Sequence, residues 1–370
     1  MIPSLLLVAL GVYTQKSRAV PVQSLLSRPV FDVQGHRGGR GNTIENTLPS
    51  FAWGLIDGVA TLELDNGITK DGVVVVWHDE NITADKCKDT QPVFEGDPDY
   101  PYVGKYIANL TLAQIKTLDC GSERLPTFPI QLTYPGTRIS TLQEVFDFVS
   151  CADPHHQIQW NIESKIDAQC PNLTRTVDDF VNKQHAVFKK SPYLGKITFQ
   201  SFDWRSLTGM KKLESSIPTA ALISTGSSAT NNGARSPWQA GLDISTFPGA
   251  TLGVKIANAA KSIDADILSP NFVADGSPVQ DPALPGFIPF TTKDMVEQAH
   301  ELGMLVKPWT VDGLNAAQQL LDWKVDGIIS DYPDTIRRWA EQQGQTVSPK
   351  YDQDKVLACL AKHLETSTPK

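Results

Sequence analysis

Short runs of β-branched and aliphatic residues recur along this chain, separated by segments whose apolar positions follow helical spacing, from residue 31 to residue 342. The strand-like runs fall at 31–35, 61–65, 157–163, 196–201, 219–224, 265–269, 304–309 and 327–331. Each is followed by a helical pattern, at 48–56, 142–149, 177–189, 205–214, 252–263, 293–302, 314–323 and 335–342. Such alternation indicates βα units around a parallel sheet. Eight units predict an α/β fold of the (β/α)8 TIM-barrel type, with its chemistry at the C-terminal ends of the strands.

Two stretches break the rhythm. Residues 81–138 carry Gly96-Asp97-Pro98-Asp99-Tyr100-Pro101 and Pro126-Thr127-Phe128-Pro129, too rich in proline and acidic turn residues for a long helix. They form a loop-rich insert after the second strand, placed to shape a lip over the site. Residues 271–291 read as a second rim loop. The polar stretch 344–370 is expected to be a weakly ordered tail, leaving 20–343 as one barrel domain.

Composition narrows the function. The net charge of -8 opposes binding to nucleic acid or to an anionic membrane surface, which both need concentrated positive potential. Residues 2–10 are apolar but too few to span a bilayer, and small residues flank Arg18, so 1–19 reads as a secretory signal removed near Ala19. No Lys or Arg precedes the apolar run, which leaves an uncleaved anchor as the alternative. The acceptor triplets at Asn81, Asn109 and Asn172 fit a secreted, extracellular glycoprotein.

The 5 cysteines show no CxxC pair and no Cys/His spacing suited to zinc. In an oxidising compartment Cys87 with Cys120 would staple the insert, and Cys151 with Cys170 would bracket one strand, leaving Cys359 over. Spacing does not fix that connectivity, and in a reducing compartment buried thiols are the alternative.

The densest chemistry lies between Gly35 and Asp79. Side chains two apart on a strand share a face, so Glu63 and Asp65 aim into one site, as do Glu163 and Lys165. Three converging carboxylates repel unless one divalent cation, Mg2+ or Ca2+, holds them together. His36 and His78 flank the carboxylate strand and supply an acid-base pair near neutrality. Lys70-Asp71-Gly72 marks a hairpin. A two-residue loop would set His78 opposite Asp65, whereas a three-residue loop with a glycine bulge would set Trp77 there.

Arg37 either grips phosphate oxygens with its planar fork or pairs with Glu45, and Lys165 either faces phosphate or simply neutralises Glu163. Glu45 and Asn46 read as supporting residues at a helix start. Trp309 and Phe202 are candidate walls of the pocket. His155, His156, His185, His300 and His363 fall outside the strand ends and are assigned no catalysis. Gly35–Gly41 lacks the order of a dinucleotide fingerprint, and neither a nucleophile elbow nor a P-loop occurs.

The series His36-Arg37-Gly38, Glu45-Asn46-Thr47, Glu63-Leu64-Asp65 and His78-Asp79, continued by Glu163-Ser164-Lys165, Ser201-Phe202, Trp309-Thr310-Val311-Asp312 and Gly327 to Pro333, resembles the glycerophosphodiester phosphodiesterase family. The resemblance implies Glu63, Asp65 and Glu163 as metal ligands, Arg37 and Lys165 on phosphate, His36 as base and His78 as acid. It implies a small glycerophosphodiester substrate split to glycerol phosphate and an alcohol. A phospholipase D-like lyase acting on sphingomyelin or lysophospholipids, with a cyclic product and lipid-surface contact, is the alternative. A non-catalytic phosphate-binding module would keep Arg37 and Lys165 but has no use for two histidines.

Overall fold

The computed structural model describes residues 30–228 and 235–367, so the leader expected at 1–19 lies outside the described residues. Among these residues the strands are β1 (Asp32–Gly35), β2 (Thr61–Ile68), β3 (Val74–Val76), β4 (Gln159–Ser164), β5 (Ile197–Ser201), β6 (Thr219–Ile223), β7 (Ile267–Pro270), β8 (Leu305–Val306) and β9 (Gly327–Ser330). The helices are α1 (Leu48–Asp57), α2 (Leu112–Ile115), α3 (Leu142–Ala152), α4 (Val177–Phe188), α5 (Trp204–Leu213), α6 (Thr225–Ser228), α7 (Leu252–Ser262), α8 (Lys293–Glu301), α9 (Leu314–Asp322), α10 (Pro333–Gln342) and α11 (Gln353–Ser367).

Eight parallel strands run in the order β8-β7-β6-β5-β4-β2-β1-β9, and β3 pairs antiparallel with β2 outside that path. Backbone bonds from Asp326 N to Val306 O (2.9 Å) and from Ile329 N to Pro308 O (3.0 Å) bring the two ends of the sheet together. The result is a nearly closed (β/α)8 barrel, as the alternation predicts. β8 is shorter than the expected 304–309 because Pro308 has no N–H to give to the ladder.

Alternation along β2 explains the barrel's two surfaces. Leu62 and Leu64, both fully buried, are part of the main apolar core, while Glu63 and Asp65 take the alternate, inward positions. Thr47 caps α1 by accepting from Ser50 N–H, Ser50 Oγ accepts from Thr47 N–H, and Pro49 adds a prefixed helical φ. That cap fixes the end of the loop carrying His36, Arg37 and Glu45.

The insert contains only short helical turns, as its proline content requires. It has its own core, in which Ile82, Tyr102, Ile107, Leu110, Ile115 and Leu118 pack beneath Trp77 and the Cys87–Cys120 disulfide. The expected Cys151–Cys170 pairing is not formed. Cys151 is bonded to Cys359, and Cys170 is the free, exposed cysteine among the described residues. The reason is topological: α3 runs antiparallel to the strands and delivers Cys151 to the barrel's N-terminal end, whereas Cys170 follows β4 at the opposite end. The tail also differs from expectation. Its apolar positions Val356 and Leu360 are buried, and α11 packs against α1 and α3.

Candidate active site

Register brings the carboxylates together. Asp65 of β2 pairs with Glu163 of β4, Glu63 pairs with Asn161, and ligand oxygens of Glu63, Asp65 and Glu163 all lie within 4.8 Å of one another. All three are buried. Burial first, then repulsion from Asp65, raises Glu63 well above the ordinary carboxylate range. Burial, partly offset by Lys165, pushes Glu163 up to about 7. Asp65 is also penalised by burial, but Arg37, His78 and Lys165 outweigh it and hold Asp65 low. Asp65 Oδ1 is buried without a hydrogen-bond partner. Three clustered oxygen donors with an orphaned buried oxygen fit a hard divalent cation.

The carboxylates are held from behind. Gln200 Nε2 donates to Glu63 Oε1 (2.9 Å), and Asn161 Nδ2 donates to both Gln34 and Gln200. Arg37 takes a left-handed backbone, φ 53, which points its own N–H at Glu63 Oε2 (2.7 Å). Asn46, φ 56, donates to Asp65 Oδ2 (2.8 Å). Gly38 needs its φ of 86, and a Cβ there would stand 2.5 Å from Ser50 Oγ.

Each histidine is tied to a carboxylate through Nδ1. His36 Nδ1 lies 2.5 Å from Asp331 Oδ1, and His78 Nδ1 lies 2.7 Å from Asp79 Oδ1. Nε2 of each ring is thereby left for proton transfer, and that of His78 is 3.1 Å from Lys165 Nζ. Burial lowers the His36 pKa despite Asp331. Burial, Arg37 and Lys165 together bring His78 down to about 3.

The hairpin takes the three-residue form. Ile68 pairs with Val74, Gly72 sits at φ 82, and Trp77 N–H donates to Asp65 O (3.0 Å), so Trp77 and not His78 lies opposite Asp65. His78 enters the site one residue further on.

Arg37 makes the pairing with Glu45, its Nη1 donating to Glu45 Oε1 (2.9 Å), and it also lines the cavity. Lys165 likewise contacts Glu163 (2.9 Å) and faces the same cavity. This pocket of about 140 Å³ is bounded by His36, Arg37, Glu63, His78, Glu163 and Lys165, with Phe202 and Trp309 as an apolar wall at 5.4 Å from each other. Glu45 and Asn46 stand behind Arg37 and Asp65 as supports. Asp331, Asp79, Gln200, Arg40 and Lys86 join the site with no role legible in the sequence. The two aspartates stood inside the quoted motifs, whereas Lys86 carries no local pattern.

Of the glycosylation triplets, Asn109 and Asn172 are exposed and Asn81 is half-buried. No helix among the described residues is long and apolar enough to cross a membrane.

Buried carboxylates, two cationic donors and two carboxylate-tethered histidines around one pocket, at the C-terminal rim of a (β/α)8 barrel, define a phosphodiester-cleaving enzyme. The chain belongs to the glycerophosphoryl diester phosphodiesterase family, whose model matches residues 36–335. It is 25% identical over 317 residues to a glycerophosphodiester phosphodiesterase of Bacillus subtilis, covering 85% of this chain and 88% of that protein. A solved family structure from Silicibacter pomeroyi superposes with a TM-score of 0.67 at 26% identity, covering 86% of this chain and 96% of that one. An Oleispira antarctica phosphodiesterase, solved with sn-glycerol-3-phosphate, shares the fold at a TM-score of 0.58 and 21% identity, covering 84% and 97%. Lysophospholipase D of Homo sapiens matches at 32% identity, but over only 40% of this chain and 41% of its own length.

Proposed function

We propose that this protein hydrolyses small glycerophosphodiesters to glycerol phosphate and an alcohol. The observation that carries this reading is that two carboxylate-tethered histidines line one pocket together with Glu63 and Glu163, whose carboxylates cluster with that of Asp65. Those three carboxylates would hold one divalent cation, Mg2+ or Ca2+, which supplies Lewis-acid charge to the phosphate when bound. Arg37 and Lys165 neutralise the diester and the charge that develops on its oxygens. His36 accepts the proton of the attacking oxygen as that oxygen bonds to phosphorus, the bond from phosphorus to the alcohol oxygen breaks, and protonated His78 delivers its proton to the departing alkoxide. Asp331 stabilises the imidazolium formed on His36. His78 is depressed chiefly by burial and then by Arg37 and Lys165, so a diester anion brought between those cations raises its proton affinity and couples protonation to binding. Family membership and the product reported for the Oleispira antarctica protein support the choice of substrate.

A second reading is lysophospholipid cleavage. Exposed Phe94, Ile130 and Leu132 of the insert and Leu284 and Ile288 of the 271–291 loop favour it, together with the partial lysophospholipase D matches. Product analysis on glycerophosphocholine, glycerophosphoinositol, sphingomyelin and lysophosphatidylcholine decides between them. Glycerol phosphate from a deacylated diester, lost on chelation and restored by Mg2+ or Ca2+, is expected. Cyclic phosphate from lysolipid with no action on deacylated diesters would replace the first reading by the second.

A further inference from the structure

Lys86 belongs to the insert, yet its ammonium is part of the site. Its side chain is only 13% exposed, and Nζ donates to Glu45 Oε1 (2.8 Å) and Asp79 Oδ2 (2.6 Å). Each acceptor already serves a residue of the reaction. Glu45 Oε1 also receives Arg37 Nη1 at 2.9 Å, and the other oxygen of Asp79 receives His78 Nδ1 at 2.7 Å. One lysine therefore joins the support of the phosphate-facing arginine to the support of a proton-transfer histidine. The aromatic face of Trp77, 5.6 Å from Nζ, covers it further.

The segment that carries Lys86 is itself pinned. Cys87, the next residue, is disulfide-bonded to Cys120, and both are buried. Lys88 and Asp119 exchange backbone bonds at 2.8 and 3.0 Å. Residues 86–88 thus cannot drift from 119–120 without breaking a covalent link and a two-bond bridge.

We propose that Lys86, anchored by the adjacent Cys87–Cys120 disulfide, is a positioning residue that clamps Glu45 and Asp79 and so aligns Arg37 and His78, which makes the insert a working part of the catalytic centre. This rests on the reading of His78 and Arg37 given above. The cation on Asp79 fixes that carboxylate so that its other oxygen holds His78 in the Nδ1–H tautomer. Without it, Asp79 is free to swing from the ring.

The full-length protein tests this in two arms. In turnover of glycerophosphocholine with Mg2+, Lys86→Met should lower kcat about 10–100-fold with little change in KM, the range for loss of a supporting partner. Lys86→Arg should recover most of that loss. Cys87→Ser with Cys120→Ser should lower kcat similarly, and adding Lys86→Met to that pair should cost little more, because both act through one clamp. Strictly additive losses, or wild-type kcat in Lys86→Met, would overturn the proposal. In the second arm, 15N spectra of the histidine rings should show His78 as the Nδ1–H tautomer in wild type and a mixture in Lys86→Met. Identical His78 signals in the two proteins would also overturn it. The spectral arm needs no turnover, so it decides on Lys86 even if glycerophosphocholine is not a substrate.

Discussion

Giving Nδ1 to a carboxylate orients an imidazole and leaves Nε2 to handle protons, and His36 and His78 both follow that rule through Asp331 and Asp79. His36→Ala and His78→Ala should each lower kcat by about 100-fold or more, since each removes a proton-transfer group. Asp331→Asn should lower kcat by about tenfold or more with KM little changed, because an amide can donate to Nδ1 and favour the wrong tautomer. Steady-state kinetics with folding checked by circular dichroism measures all three. Glu163 carries a pH consequence. Burial raises its pKa from the ordinary carboxylate range to about 7, so its protonated form favours the folded protein, and that contribution is lost as pH rises through about 7. His36 and His78, both lowered, act with the opposite sign over the same range. The clean quantity is therefore the rise in Tm on adding Mg2+ or Ca2+ after chelation. It should grow from about pH 5 to 7.5, as the carboxylates give up the protons that compete with the cation. In Glu163→Gln the rise should be smaller and flatter in pH; an equal rise at both pH values in wild type would contradict the ligand assignment.

At the level of elements, two disulfides do different work. Cys87–Cys120 secures the insert beside the site, whereas Cys151–Cys359 fastens α11 to α3 across a sequence separation of 208 residues. Such a bond restrains a long loop of the unfolded chain, so Cys151→Ser with Cys359→Ser should lower stability by about 2–5 kcal/mol. Cys151 lies at the barrel's N-terminal end, away from the pocket, so kcat at 25 °C should be retained. Denaturant melts alongside activity assays check both outcomes. The hairpin before β3 shows how a small element aims a large one: the left-handed Gly72 fixes the three-residue loop, and the loop decides which side chain faces Asp65.

For the molecule as a whole, a barrel supplies a rigid floor and leaves the rim loops to choose the alcohol. We propose that the protein is secreted, a reading supported by its leader-like first residues and by two disulfides that suit an oxidising compartment. Expression in a secretory host should give glycans at Asn109 and Asn172, both exposed, with less or none at half-buried Asn81. Intact-mass and peptide mass spectrometry before and after deglycosylation reads this directly. Unmodified peptides spanning Asn109 and Asn172 would count against export.

Local chemistry determined most of the architecture. The period-two and helical patterns locate the eight βα units, and Glu63, Asp65 and Glu163 reveal themselves because alternation on a strand dictates which side chains share a face. His36, Arg37, His78 and Lys165 are legible because they sit beside those carboxylates in sequence or at matching strand ends. What depends on contacts between distant segments was decided only by the tertiary structure. The hairpin admitted two registers until the loop's backbone was fixed. Cys151 chose Cys359 over the nearer Cys170 because an antiparallel helix carries it to the other end of the barrel. Val356 and Leu360 form a helix only because α1 and α3 offer a surface to bury them on. Lys86 has no motif around it; only the folded insert, by setting its ammonium between Glu45 and Asp79, brings it into the site.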